Sequence, residues 1–161
     1  MELYVARQPI FNGKIEVVAY ELLYRNGMLN RAELIDDNKA TTDVLTNVFL
    51  QMGIDTIAEG KRAFVNFNEA LLLQQVPRLL PANILAVEIL ETVVPTETLL
   101  QVCKQLKQEG YWVVLDDFVP SQAWLPLAKI ADIIKIDFKN PKSLEARNYL
   151  LRHDVHQPEY L

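Results

Sequence analysis

The chain has 161 residues, half of them hydrophobic and 23% charged, which is the composition of a globular domain with a sizeable core. A net charge of −5 and a pI near 5.1 argue against general affinity for nucleic-acid polymers or anionic membranes. The single cysteine, Cys103, excludes an intramolecular disulfide and sits in an apolar run that reads as core. No apolar stretch is long enough for a membrane span, and Met1 leads into Glu2 and a strand-like run without a basic leader, so a cytoplasmic location is expected.

In chain order, Leu3 to Gln8 reads as a strand, Asn12-Gly13-Lys14 as a tight turn, and Ile15 to Tyr20 as its antiparallel partner. Residues 28–40 are polar and irregular. From Thr42 the apolar residues Val44, Leu45, Val48, Phe49 and Met52 recur at helical spacing, with Gly53 as the expected C-cap. Strands and helices then alternate: strand Arg62–Phe67, helix Glu69–Gln75, strand Ile84–Leu90, and helix Glu97–Glu109 stopped by Gly110. Strand Tyr111–Leu115, helix Gln122–Ala128, strand Ile133–Asp137 and helix Ser143–His153 follow, and the last residues approach a further strand. The whole is read as one domain.

This alternation predicts parallel β-α units, in an open doubly wound sheet or a (β/α) barrel. No glycine-rich turn follows the first strand, which weakens the nucleotide-binding open sheet. The strand ends favour the barrel. Glu21, Asn66, Glu88, Asp116-Asp117, Lys135 and Asp137 stand at or near the ends of successive strands, where barrels gather catalytic groups. Any one of them alone reads as a turn residue, a cap or a rim charge. Together, the carboxylates and an amide oxygen form a hard-oxygen donor set suited to Mg²⁺, Mn²⁺ or Ca²⁺, and His153 and His156 lie away from it, so zinc is not expected. Lys135 and Asp137, two apart, are expected to share a strand face and one cavity.

The segments Gln8-Pro9-Ile10 and Tyr20-Glu21-Leu22-Leu23-Tyr24-Arg25 resemble the signature of EAL domains, the phosphodiesterase-like barrels of cyclic di-GMP signalling. Phe64-Val65-Asn66, Val87-Glu88-Ile89-Leu90-Glu91, Val114-Leu115-Asp116-Asp117-Phe118 and Ile134-Lys135-Ile136-Asp137 resemble further family motifs in the same order. The resemblance implies that Glu21, Asn66, Glu88 and Asp116 hold one divalent cation, and Asp116 with Asp117 a second. It implies that Lys135 positions the nucleophilic water and that Glu91 is an auxiliary carboxylate. Gln8, Arg25 and Asp137 would face the ligand, with Arg25 on a phosphate.

The chain departs from the family where Val119-Pro120-Ser121-Gln122-Ala123-Trp124 replaces a glycine-containing run. Nothing after Asp137 matches the later Ala-Glu-Gly-Val-Glu-like strand that the resemblance implies as the source of a further metal-site Glu. The mixture is similar to the EAL half of proteins that pair it with an HDOD domain. The fold expected is therefore an incomplete EAL-type (β/α) barrel with antiparallel first strands and its last β-α units missing. The expected function is a cyclic di-GMP signalling module, inactive or weakly active in this form; the alternative is a metal-dependent phosphodiesterase producing pGpG in the intact protein. An unfinished barrel leaves sheet edges bare, so a homodimer or strand-exchanged assembly is expected.

Overall fold

The computed structural model describes residues 3–26, 53–153, 155 and 159–160, and these fall into two compact units divided between Val65 and Asn66. The helix expected from Thr42 to Met52 lies outside the described residues.

In the first unit, β1 (Leu3–Phe11) pairs antiparallel with β2 (Val17–Asn26), from Leu3↔Asn26 to Ile10↔Ala19, with a bulge between Ile10 and Phe11. β3 (Arg62–Phe67) begins in this unit and runs parallel to β2, with Ala19 opposite Arg62. The turn is wider than the Asn-Gly pair implies. Asn12 Oδ1 accepts from both Lys14 N (2.9 Å) and Glu16 N (3.0 Å), and Ile15 takes φ +64°. The second strand therefore starts at Val17, not Ile15: a β-branched residue that favours strands is spent in the turn, where its side chain is exposed.

One side-chain network ties this hairpin to the residues around α1 (Ile54–Ile57). Arg7 donates to Ile57 O (2.6 Å) and Glu59 Oε1 (2.7 Å), and lies 4.5 Å over the Tyr20 ring. Tyr20 in turn donates to Glu59 Oε2 at 2.7 Å. Gly53 takes φ +70° and precedes α1 as its N-cap.

The second unit is built on parallel strands whose spatial order follows their sequence order. β4 (Leu85–Ile89) pairs with β5 (Trp112–Leu115), β5 with β6 (Ile133–Ile134), and β6 with β7 (Glu159–Tyr160). A doubly wound sheet reverses strand order at its switch point, whereas a barrel adds each strand beside the last, as these do. All five residues of β4 are buried, as a strand covered on both faces requires. β7 realises the strand expected near the C-terminus.

Helices fill the crossovers. α2 (Glu69–Leu73) starts at Asn68, whose Oδ1 accepts from Leu71 N at 3.0 Å. α3 (Glu97–Gln108) is capped by Thr96, buries Leu99, Leu100, Cys103 and Leu106, and ends before Gly110 at φ +94°. α4 (Leu125–Ile130) is shorter and later than the helix read over 122–128. Pro126 has no N–H and fits only a first turn, so the helix begins just before it and residues 122–124 form a turn. α5 (Ser143–Arg152) buries Ala146 and Leu150.

β6 is also shorter than the five-residue strand expected, with Lys135 to Asp137 beyond it. Its register is pinned at the start. Val113 N donates to Asp132 Oδ2 (2.9 Å), Asp132 N donates to Val113 O (2.8 Å), and Lys107 Nζ reaches Asp132 Oδ1 (2.6 Å) and Ile130 O (2.8 Å).

Candidate metal-dependent site

Strand register assembles the charged groups of the second unit. Glu88 stands opposite Val114, and Asp116 lies two residues beyond Val114, on the same face. Leu115 pairs with Ile134, so Asp116 and Lys135 leave their strands at one level. The backbone holds that level past the strand ends: Asp116 N donates to Ile89 O (3.0 Å), Lys135 N to Leu115 O (2.8 Å) and Phe118 N to Lys135 O (3.1 Å).

The Lys135 ammonium consequently lies between two carboxylates, 2.5 Å from Glu88 Oε1 and 3.0 Å from Asp116 Oδ1. Glu88 is the one buried charged residue of the described core, fully excluded from solvent, and Lys135 supplies the opposite charge it needs there.

Asp116 also belongs to a second group. One carboxylate oxygen from each of Glu91, Asp116 and Asp117 lies within 4.8 Å of the others. Burial, then the neighbouring Asp116, Glu91 and Asp137 charges, push the Asp117 carboxyl above the usual range, and Lys135 opposes them. Asp117 adopts φ +44°, a left-handed conformation that aspartate tolerates better than most residues. The three converging carboxylates present oxygen donors of the kind a hard divalent cation takes, with the Lys135 ammonium already on one of them, Asp116.

A cavity of about 200 Å³ opens beside this group, lined by Glu91, Asp117, Phe118, Asp137, Asn140 and Lys142 among others. A second, of about 80 Å³, lies against Asp116, Glu91, Phe118, Val119 and Trp124. Asp137 lines the larger cavity, while Lys135 is engaged with Glu88 and Asp116 and is not among its lining residues. Past Ile134 the chain leaves the strand and turns, and Asp137 Oδ1 accepts from Lys139 N (2.9 Å). Period-two alternation therefore no longer governs where Asp137 points.

Asn66 is half-buried on β3 in the second unit. Gln8 and Glu21 belong to the first unit, where they are direct partners across the β1–β2 ladder. Arg25 is on β2, opposite Tyr4, and its side chain lies outside the described residues. Asn140, Lys142 and Trp124 were not singled out from the sequence. Asn140-Pro141-Lys142 carries a turn signal, which places residues at a rim but says nothing about which rim.

No family model matches the chain. Among curated proteins it is 45% identical over 155 residues to the uncharacterized protein YuxH of Bacillus subtilis, covering 93% of this chain and 38% of that protein. It is 42% identical over 135 residues to the cyclic di-GMP phosphodiesterase CdgJ of Vibrio cholerae, covering 83% of this chain and 31% of that one. The PaMucR phosphodiesterase, solved with cyclic di-GMP, superposes with a TM-score of 0.67 at 18% identity, covering 95% of this chain and 80% of that one. The Bacillus subtilis YkuI protein, with an EAL domain in complex with cyclic di-GMP and calcium, gives 0.65 at 19% identity, over 95% of this chain and 46% of that one.

The chain has the EAL fold.

Within the EAL fold the expected architecture holds: an antiparallel first pair of strands, then parallel β-α units, as in an incomplete (β/α) barrel. The chain spans about a third of the length of the curated relatives it matches. Among the described residues, no helix is long and apolar enough to cross a membrane.

Proposed function

We propose that this chain is a cyclic di-GMP signalling module whose own hydrolytic activity is weak or absent. The observation that carries the reading is the Lys135 ammonium held between Glu88 and Asp116, with Glu91 and Asp117 gathered at Asp116. That arrangement suits recognition of a cyclic dinucleotide through a divalent cation. Glu21, Asn66, Glu88 and Asp116 would hold one Mg²⁺ or Mn²⁺ ion, and Asp116 with Asp117 a second. Such ions lower the pKa of bound water and neutralise charge on a phosphodiester. Lys135 would orient that water, Glu91 would support the cluster, and Gln8, Arg25 and Asp137 would meet the dinucleotide. Val119 lines both cavities and Pro120 the larger one, and the proline stiffens a segment where the family resemblance calls for glycine, which favours binding over turnover.

The 42% identity to a cyclic di-GMP phosphodiesterase favours a second reading, in which the longer protein hydrolyses cyclic di-GMP to pGpG. In that protein an HDOD domain would accompany the EAL fold, in the cytoplasm, and the chain itself would form a homodimer or strand-exchanged assembly. A monodisperse monomer in light scattering at high concentration would count against that assembly.

Hydrolysis of cyclic di-GMP with Mg²⁺ or Mn²⁺, with Glu21→Ala as control, separates the two readings. Binding without turnover supports the signalling module. Turnover that Glu21→Ala abolishes overturns it in favour of the phosphodiesterase. Calorimetry showing neither metal nor dinucleotide binding replaces both with a role in protein interaction alone.

A further inference from the structure

Asp116 is the branch point of the charged groups. One of its oxygens is 3.0 Å from the Lys135 ammonium, and the same side chain contributes to the Glu91–Asp116–Asp117 group. Lys135 in turn holds Glu88, which has no solvent exposure at all. A lysine so placed supplies, from within the chain, the positive charge that the site would otherwise draw from solution. We propose that Lys135 is a built-in counter-ion that competes with the divalent cation for Asp116 and Glu88, and so sets a weak cation affinity for this site.

The inference rests on the cation-binding reading above and adds a direction to it. An ammonium close to both carboxylates repels an incoming dication, and a cation that takes Asp116 must draw it away from Lys135. Lys135 is then a positioning residue as well as a cation competitor. Without it, the buried Glu88 carboxylate loses the ammonium 2.5 Å away, and an added cation can replace that charge.

The test uses the full chain and Mn²⁺ alone, followed by calorimetry and by the loss of the free-Mn²⁺ paramagnetic resonance signal. Lys135→Met should lower the melting temperature in chelator, bind Mn²⁺ about tenfold more tightly than the wild type, and regain stability on adding Mn²⁺. Lys135→Arg, which keeps the charge, should retain wild-type stability and weak affinity. If Lys135→Met does not fold, Lys135→Met combined with Glu88→Gln is compared with Glu88→Gln alone, and the double variant should bind the more tightly. Wild-type Mn²⁺ binding with equal or weaker binding by the lysine-free variant overturns the counter-ion role and leaves the cation site standing. No Mn²⁺ binding by any variant overturns both.

Discussion

Lys135 Nζ and Glu88 Oε1 approach to 2.5 Å, joining the end of β6 to a fully buried carboxylate on β4. β5 lies between those strands, so the pair spans it and depends on the register of all three. A double-mutant cycle of Glu88→Gln and Lys135→Met should show a coupling of about 2–3 kcal/mol in urea unfolding with chelator present. Additivity to within about 0.5 kcal/mol would mean that the ammonium is satisfied elsewhere.

Asp117 gives a pH dependence with a definite sign. Its folded-state pKa is raised, first by burial and then by three neighbouring carboxylates. The folded chain therefore keeps that proton to higher pH than the unfolded chain does. The associated stability is present below the unfolded pKa and is lost as pH rises through the folded one. Asp117→Asn should melt at the same temperature as the wild type near pH 3 and above it at pH 7, without divalent cations. The side chain is desolvated only in part and otherwise faces solvent, which screens it, so the gain should stay under about 1 kcal/mol. Asparagine also tolerates φ +44°, which leaves the backbone undisturbed. A variant less stable than wild type at pH 7 would refute the repulsion argument.

Tyr111 donates a buried hydrogen bond of 2.6 Å to Leu80 O, tying the start of β5 to the segment preceding β4. Tyr111→Phe leaves that carbonyl without its donor and should cost about 1–2 kcal/mol in equilibrium unfolding. A loss below about 0.3 kcal/mol would indicate that water replaces the phenol.

The Cys103 thiol is fully buried on α3, and desolvation pushes its pKa up to about 12. At pH 8 the thiolate fraction is on the order of 10⁻⁴, so a disulfide reagent should label the native chain only at the rate of unfolding. Rapid labelling of native protein would place the thiol at the surface.

Much of the second unit is legible in the sequence, because parallel strands buried on both faces are continuous apolar runs. Leu85-Ala86-Val87 and Val113-Val114-Leu115 announce themselves in this way, and Glu88 is conspicuous for interrupting the first. The polar residues after such runs are easily found, since strand ends are where a barrel gathers them. Their pairing is less accessible. That Lys135 takes Glu88 and Asp116, while Asp137 faces a cavity, depends on β6 stopping at Ile134 and on the turn that follows. Ile15 misleads for a related reason. Its side chain suits a strand, but Asn12 captures two backbone donors and bends the chain before the ladder can begin at Val17. Pro126 could have corrected the start of α4, because proline marks a first turn more reliably than apolar spacing marks a helix.

Asp132, at the opposite end of β6 from the charged cluster, receives Val113 N and Lys107 Nζ and returns a bond to Val113 O. It acts as a peg for a strand too short to find its own alignment. Lys135 lies three residue steps beyond Asp132, about 10 Å of extended chain. If that peg slipped by one residue, every side chain above it would change face, putting Ile136 where the ammonium belongs. The chemistry at the mouth of the fold is thus calibrated from its floor, and a substitution at Asp132 would be felt as a charge defect at Glu88 without touching it.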